Sequence, residues 1–344
     1  MRIAIVNDLP LVVALLKRAL SHKPEYELAW IAGDGAEAIE RCAQDKPDLI
    51  LMDLVMPKLG GVEATRRIMA KSPCAILVVT VSVELNAAGV FEAMGAGALD
   101  AVDTPTLVPG EEWSGFQNLL NKIETIRKLI GESAPKLPPL PARFEQPTRP
   151  TRESLIVIGA SAGGPNALAR VLGSLPAGFP SAILVVQHVD AQFAPKLAQW
   201  LDGQTQLSVR PAQAGDRPTP GEVLVAGTND HLVLVNPTTL AYVPEPLDLA
   251  YRPSVDVLFQ SVLRHWRGKT IAVLLTGMGC DGATGLKALR AAGVHTIAQD
   301  RASCAVYGMP KAAVELDAAV EILPLEKIGP RLCGEFRPCS QPHS

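Results

Sequence analysis

The sequence predicts an α/β protein built from two doubly wound domains, each a mostly parallel sheet with helices on both faces. Short apolar segments alternate with helical patterns through both halves of the 344-residue chain. This alternation is typical of parallel sheets that are buried on both faces. A segment at 131–153 holds six prolines and no periodicity, so we expect an extended linker between the domains.

The first predicted domain, residues 1–130, contains five strand–helix units. The predicted strands are 2–6, 27–32, 49–52, 75–80 and 99–102. The predicted helices are 10–21, 36–45, 62–71, 86–94 and 114–130. Five such units predict a flavodoxin-like (βα)5 domain, in which the strands lie in the order 2-1-3-4-5.

The second predicted domain, residues 154–330, is larger and repeats the same rhythm in a mostly parallel, Rossmann-like sheet. Its predicted strands are 155–159, 182–187, 270–276, 296–299 and 320–323. Its predicted helices are 165–175, 192–202, 255–266 and 284–292. Glycines and prolines between 215 and 227 indicate short strands and turns, and 331–344 is predicted to be a flexible tail.

Composition excludes several classes of protein. A formal net charge of −3 argues against a nucleic-acid interface, which needs a basic face. No apolar segment reaches the roughly 18–20 residues that span a bilayer, and the N-terminus lacks the pattern of a signal peptide. The six cysteines form no C-x-x-C pair, so neither a disulfide framework nor a zinc site is expected. We therefore expect a cytoplasmic protein with reduced thiols.

Two carboxylates follow neighbouring strands of the first domain. Asp8 comes after the first predicted strand and Asp53 after the third, and these strands are adjacent in the predicted order. Two carboxylates this close repel unless a cation neutralises them, and their hard oxygen atoms suit Mg²⁺. The competing interpretation is that both residues only cap the helices that follow.

The stretch MDLVMP, residues 52–57, resembles the phosphoacceptor motif of response-regulator receiver domains. The resemblance implies that Asp53 accepts a phosphoryl group from a histidine kinase, with Mg²⁺ held by Asp8, Asp53 and the Val55 carbonyl. It also implies that Thr80 is the switch hydroxyl that turns toward the phosphoryl group.

Three positions depart from the usual receiver pattern. Asn7 replaces the first member of an acidic pair, Thr104 replaces a lysine before Pro105, and Ala101 occupies the aromatic switch position. One carboxylate and one ammonium are both lost, so the local charge stays nearly balanced. We therefore expect phosphorylation to persist, but to be slower or less strongly signalled.

A candidate nucleophile lies in the second domain. The turn GASAGG places Ser161 between a strand and a helix, as in a G-x-S-x-G elbow. His188 is the one histidine that ends a strong parallel strand, which makes it the candidate base. Asp281 lies in a glycine-rich turn after another strand and would orient His188. The backbone N–H groups of Met278 and Ala162 are candidate oxyanion donors. The alternatives are a purely structural His188 and an Asp281 that only caps its helix.

The order Ser, His, Asp differs from that of α/β-hydrolases, chymotrypsin and subtilisin. On a parallel sheet, with the turns GASAGGP, VVQH and LLTGMGCDGA, it resembles the CheB methylesterase domain. YRPSVDVLF and VYGMP add to this resemblance, while Ala162 stands where many members have threonine. The VND start and the VDTP stretch look closer to the Wsp surface-signalling branch (WspF-like) than to flagellar chemotaxis proteins.

The CheB resemblance implies a serine carboxylesterase that hydrolyses glutamyl methyl esters on methyl-accepting chemoreceptors and often deamidates receptor glutamines, without a cofactor for this reaction. Its implied partners are a chemoreceptor and a CheA-type histidine kinase as phosphodonor, with no nucleic acid and no direct membrane insertion.

Three other interpretations remain: a receiver with a DNA-binding output, a dinucleotide-binding domain, and a pseudoenzyme that only binds receptors or a methyltransferase partner. The first lacks a basic helix-turn-helix, and the second lacks the glycine that would stand at Ser161.

Overall fold

The structure, a computed structural model, describes residues 1–106, 112–131, 153–249 and 251–335. The chain divides into two compact units, the first formed mainly by the N-terminal sheet and its helices and the second mainly by the sheet that starts at Ser154. Most of the predicted linker, residues 132–152, lies outside the described residues, as do residues 336–344. In the part that is described, no helix is both long and apolar enough to cross a bilayer.

The first unit is a five-stranded parallel sheet with helices between its strands. Its strands are β1 Arg2–Val6, β2 Glu27–Ala32, β3 Leu49–Met52, β4 Ala75–Thr80 and β5 Asp100–Asp103. Its helices are α1 Pro10–Ser21, α2 Gly35–Gln44, α3 Gly61–Lys71, α4 Ala87–Gly95 and α5 Glu112–Gly131. The strand order β2-β1-β3-β4-β5 confirms the predicted flavodoxin-like topology.

The second unit contains the larger sheet and more irregular connections. Its strands are β6 Ser154–Ala160, β7 Ala182–Gln187, β8 Ser208–Pro211, β9 Glu222–Val225, β10 His231–Asn236, β11 Thr239–Val243, β12 Lys269–Leu274, β13 His295–Gln299 and β14 Glu321–Leu323. Its helices are α6 Gly164–Gly173, α7 Ala194–Asp202, α8 Val255–His265, α9 Ala283–Ala291, α10 Met309–Glu315 and α11 Leu325–Glu335.

Seven of these strands form one sheet in the order β14-β13-β12-β6-β7-β9-β8, with parallel pairing throughout. β10 and β11 form a separate antiparallel hairpin. This confirms the second predicted α/β sheet. The chain leaves β6 for β7 on one side and returns to β12 on the other, so the strand order reverses at β6. Ligand sites in such sheets lie at this reversal, beyond the carboxyl ends of the strands.

Two helices of the second unit were not predicted. α10 has only seven residues, and α11 contains Pro330, which normally ends a helical pattern. α11 nevertheless buries Leu325, Ile328 and Leu332, which share one helical face. The tail predicted from 331 is therefore wrong for its first five residues, which are helical to Glu335.

Gly159 allows helix α8 to pack directly on the central strand. A Cβ atom at Gly159 would lie 2.2 Å from Cγ1 of Val255, the first residue of α8, and 3.1 Å from Leu274 on β12. Val255 and Leu274 are both completely buried. The absence of a side chain at 159 therefore sets how closely the start of α8 approaches β6.

We predict that Gly159→Ala destabilises the protein by about 1–3 kcal/mol, because the added methyl group overpacks this contact. Urea unfolding of the full chain followed by circular dichroism measures the effect. Gly334→Ala is the matched control, since nothing lies within 4 Å of a Cβ at that position. Equal unfolding midpoints for Gly159→Ala and the unmodified chain would contradict this description of the packing.

Candidate functional site

The Asp53 carboxylate lies at the carboxyl edge of the first sheet and is largely buried. Its Oδ2 accepts a hydrogen bond from Asn7 Nδ2 at 2.8 Å, and its Oδ1 accepts from the backbone N–H of Leu54 at 2.7 Å and of Val55 at 3.3 Å. Burial raises the pKa of Asp53, the two N–H groups oppose that rise, and the nearby charge of Asp8 adds to it. The structure thus places Asp8 and Asp53 close enough to interact.

The residues at this edge of the first sheet suit a hard divalent cation, although few of them are carboxylates. Asp8 and Asp53 supply two, and the Coulombic effect of Asp8 on the pKa of Asp53 is the repulsion that a cation would relieve. Asn7 contributes a neutral amide instead of a third carboxylate, and it donates to Asp53. Among the described residues no group of three or more His, Cys, Asp or Glu side chains is placed to hold a metal.

Thr80 ends β4 as predicted and is buried at the same edge of the sheet. Its Oγ1 accepts a hydrogen bond from Asn86 Nδ2 at 2.9 Å, and its carbonyl accepts from the N–H of Thr104 at 2.7 Å. Ala101 is completely buried within β5. The Thr80 hydroxyl is therefore joined to Asn86, the residue that precedes α4.

Ser161 directly follows β6 and begins the turn that leads into α6. Its carbonyl accepts a hydrogen bond from Gly164 N–H at 2.7 Å, which closes the turn. Gly163 has φ of +81°, a conformation that favours glycine. Ser161 and Ala162 are both completely buried. The predicted strand–turn–helix setting of the serine is thus present.

His188 occupies the corresponding position after β7. Ala160 pairs with Gln187 in the sheet, and His188 N–H extends this ladder by donating to the Ala160 carbonyl at 3.0 Å. The backbone of His188 is therefore fixed beside the end of β6, from which Ser161 leaves. The His188 ring stacks on Tyr251, with ring centroids 3.6 Å apart and 16° between the planes.

His188 and Asp281, the predicted base and its predicted orienting acid, are hydrogen-bonded to each other. His188 Nε2 lies 2.8 Å from Asp281 Oδ2. The other ring nitrogen, Nδ1, is buried and has no hydrogen-bond partner among the described residues. Because Asp281 binds Nε2, the nitrogen that remains to exchange a proton is Nδ1.

The Asp281 carboxylate is held by the N-terminus of α8. Its Oδ2 accepts from Val255 N–H at 2.7 Å, and its Oδ1 accepts from Ser254 Oγ at 2.8 Å and Asp256 N–H at 3.0 Å. Burial alone would raise the pKa of Asp281, but the hydrogen bond and charge of His188 and these backbone N–H groups hold it below its ordinary value. Asp281 therefore stays ionised next to His188.

Sequence reasoning missed the residues that support Asp281 and His188. Ser254, Asp256 and Tyr251 all lie in YRPSVDVLF, which was singled out only as a resemblance. His231 also belongs to this group: its Nδ1 accepts from Ser254 N–H at 3.0 Å, and Nε2 donates to the Pro246 carbonyl at 3.1 Å. Burial lowers the pKa of His231, which favours the neutral ring that this pairing requires. A serine before an apolar helical segment was the available sign of a helix cap.

Met278, a predicted oxyanion donor, lies in the turn between β12 and α9 and is partly buried. β12 is the other neighbour of β6, and Leu274 pairs with Gly159. The turns that carry Ser161, His188 and Met278 thus follow three adjacent strands. A backbone N–H at such an edge is suited to bind a developing negative charge.

The chain matches known proteins along almost its whole length. Residues 156–332 match the CheB methylesterase family and residues 3–106 match the response regulator receiver domain family. A Cupriavidus metallidurans protein named protein-glutamate methylesterase/protein-glutamine glutaminase 2 is 58% identical over 98% of this chain and 100% of its own length. A protein of Pseudomonas aeruginosa with the same name, numbered 3, is 54% identical over 98% of this chain and 100% of its own.

Among solved structures, the CheB methylesterase catalytic domain of Thermotoga maritima is similar to this chain. It is 35% identical with a TM-score of 0.52, and the match covers 54% of this chain and all of that domain. Both family matches and relatives that align along almost the whole chain point the same way. The chain belongs to the CheB methylesterase family, with a response regulator receiver domain preceding the methylesterase domain.

Proposed function

We propose that this protein is a phosphorylation-regulated protein-glutamate methylesterase that also deamidates protein glutamines, with Ser161, His188 and Asp281 as its catalytic triad. The observation that carries the proposal is the partly buried His188–Asp281 hydrogen bond at the sheet edge, beside the turn that holds Ser161. The names of relatives 54–58% identical along nearly their full length support the same reaction.

In the proposed first step, Ser161 Oγ attacks the carbonyl carbon of the glutamyl methyl ester while His188 Nδ1 takes the serine proton. Nε2–H donates to Asp281, whose ionised carboxylate stabilises the imidazolium. The backbone N–H groups of Met278 and Ala162 receive the oxyanion of the tetrahedral intermediate. His188 then returns the proton to the leaving oxygen, so methanol departs and an acyl-enzyme remains.

Water completes the reaction by the reverse sequence of proton transfers. His188 Nδ1 removes a proton from water as the oxygen attacks the acyl carbon, and Ser161 leaves with that proton. The product is a glutamate side chain. For a glutamine substrate the first leaving group is ammonia instead of methanol, while the acyl-enzyme and its hydrolysis are the same. Stacking on Tyr251 keeps the plane of the His188 ring fixed through both halves of the reaction.

The substrate in this proposal is a methyl-accepting chemoreceptor, and the phosphodonor is a CheA-type histidine kinase. Asp53 Oδ attacks the phosphorus of the donor, and the bond from phosphorus to the kinase histidine breaks. The carboxylates of Asp8 and Asp53 and the Val55 carbonyl would hold Mg²⁺, which supplies charge neutralisation for the phosphoryl oxygens. Thr80 would then exchange its bond with Asn86 for one with the phosphoryl group, linking Asp53 to α4. The pathway served is chemotaxis-like or surface-sensing signalling.

Ser161→Ala should reduce hydrolysis of a methylated receptor by about 10⁴-fold or more, because it removes the nucleophile while the fold stays intact. Methanol release measures the reaction. Ser208→Ala is a matched control, since Ser208 is an exposed serine on β8, in the sheet whose strand β6 leads to Ser161. A folded Ser161→Ala variant with near-normal activity would refute the triad.

We also predict that the receiver restrains the esterase and that phosphorylation at Asp53 relieves the restraint. Because the two units lie on one chain, even a weak inhibitory association acts at high effective concentration. A coupling of about 1–3 kcal/mol corresponds to roughly 5- to 150-fold activation, and the missing lysine at Thr104 favours the lower half of that range.

The experiment compares the full chain with and without beryllofluoride, a phosphoryl mimic, and Asp53→Asn as the variant that cannot bind it. Restraint predicts faster hydrolysis with the mimic and no response in Asp53→Asn. A fragment of residues 152–344 should also outrun the unmodified full chain. A fragment slower than the full chain would mean that the receiver activates or docks the enzyme instead.

A further inference from the structure

Asp256 is a buried carboxyl group close to the partly buried Asp281, and the proposed reaction gives it no role. It lies in the first turn of α8 and is 1% exposed. Its Oδ1 accepts a hydrogen bond of 2.5 Å from the backbone N–H of Gly285, in the first turn of α9. Its Oδ2 is buried and has no hydrogen-bond partner in the chain as described. A buried acid in such a place needs an explanation.

The explanation lies in how the two helices begin. α9 has Gly282 at its N-cap, with φ of +88°, and so has no side-chain cap of its own. Four N–H groups at a helix start lack partners inside the helix. Asp256, from α8, supplies the missing acceptor to Gly285. A Cβ atom at Gly285 would lie 3.0 Å from Asp256 Oδ1, so glycine there permits the close approach.

Asp281 in turn accepts hydrogen bonds from the first turn of α8. Asp281 immediately precedes Gly282, and it accepts the N–H groups of Val255 and Asp256 in the first turn of α8. Asp256, on α8, therefore binds the N-terminus of α9, and Asp281, just before α9, binds the N-terminus of α8. Displacing one carboxyl group would loosen the helix start that holds the second.

We propose that Asp256 is a positioning residue of the esterase, which fixes the first turn of α9 and thereby holds Asp281 in line with His188. This inference rests on the proposed function, since it concerns the same triad. This role is more than structural, because the Asp256 carboxyl group lies close to the Asp281 carboxylate, whose charge stabilises His188.

The protonation of Asp256 gives the proposal a measurable signature. Burial raises the pKa of Asp256 to about 8, and the charge of Asp281 adds to this, while the N–H groups of Gly285, Gly282 and Thr284 oppose it. Two further titratable groups of the site are His188, bonded to Asp281, and His231 on β10, bonded to Ser254. The first turn of α9 contains no acidic side chain. The neutral form of Asp256 therefore persists well above the pH at which an ordinary aspartate ionises, and its ionisation makes a second negative charge face Asp281.

The sign of the effect on stability follows from the raised pKa. The ordinary value for an aspartate is 3.8, so the folded protein holds this proton through a range in which the unfolded chain has released it. The stability that protonated Asp256 contributes is complete below about pH 4 and is lost as pH rises to about 8. Asp256→Asn removes this dependence and should unfold at a higher urea concentration than the unmodified protein at pH 8.

The decisive experiment measures kcat and KM on methylated receptor from pH 6 to 9.5 for Asp256→Ala and Asp256→Asn. Asp256→Ala should lower kcat about 10- to 100-fold with KM within about twofold, since misplacing a catalytic group by 1 Å can cost 10²-fold. Asp256→Asn should restore kcat to within about threefold at pH 7, because its carbonyl oxygen accepts the same N–H. Above pH 8 the unmodified enzyme should lose kcat and Asp256→Asn should not.

Controls separate the two proposals. Asp317→Asn changes an acid that is 86% exposed in the same unit and should leave the pH profile unchanged. Should Ser161→Ala remain active, the proposed function fails. If Ser161→Ala is inactive but Asp256→Ala keeps normal kcat, only the positioning role fails. Where Asp256→Ala does not fold, the Asn variant decides: an alkaline loss of kcat equal to that of the unmodified enzyme overturns the inference.

Discussion

The second unit depends on the hydrogen bonds that the Asp281 carboxylate accepts. A buried carboxylate costs several kcal/mol unless hydrogen bonds and opposite charge compensate it. Asp281 receives the His188 ring, two backbone N–H groups of α8 and the Ser254 hydroxyl, and it lies at the positive end of that helix. The same bonds that make its burial tolerable also orient the histidine. Stability and catalysis therefore draw on one set of contacts, and a change that shifts the start of α8 must also shift His188.

The sheet explains why these groups meet. β6 lies between β7 and β12, so the residues that follow the three strands emerge side by side. Gly159 lets Val255 pack against β6, and Val255 is also one of the N–H donors to Asp281. The first unit uses the same principle on a smaller scale, with Asp53 and Thr80 at the ends of adjacent strands. Two reactions of different chemistry, phosphoryl transfer and ester hydrolysis, are thus proposed for the same edge of the same kind of sheet.

Much of this was predictable from the sequence, for identifiable reasons. β6, β7 and β12 are largely apolar segments. Ser161 and His188 directly follow β6 and β7, and Asp281 lies in the turn after β12, so topology alone brings the three turns together. α11 could not be predicted because Pro330 interrupts its helical pattern, and its apolar face becomes evident only in the packed structure. The exchange of caps between α8 and α9 was also hidden, because Asp256 and Gly285 are 29 residues apart and neither departs from ordinary helix sequence. Which nitrogen of His188 binds Asp281 depends on ring orientation, which no sequence pattern encodes.

The measurement that tests this account most directly is a double-mutant cycle between His188 and Asp281 in receptor demethylation. The variants His188→Ala, Asp281→Asn and the double variant are compared with the unmodified protein by kcat/KM. Since Asp281 acts through His188, the account predicts that the double variant is hardly slower than His188→Ala alone. Losses that multiply would contradict it, because they would show that the two residues act independently.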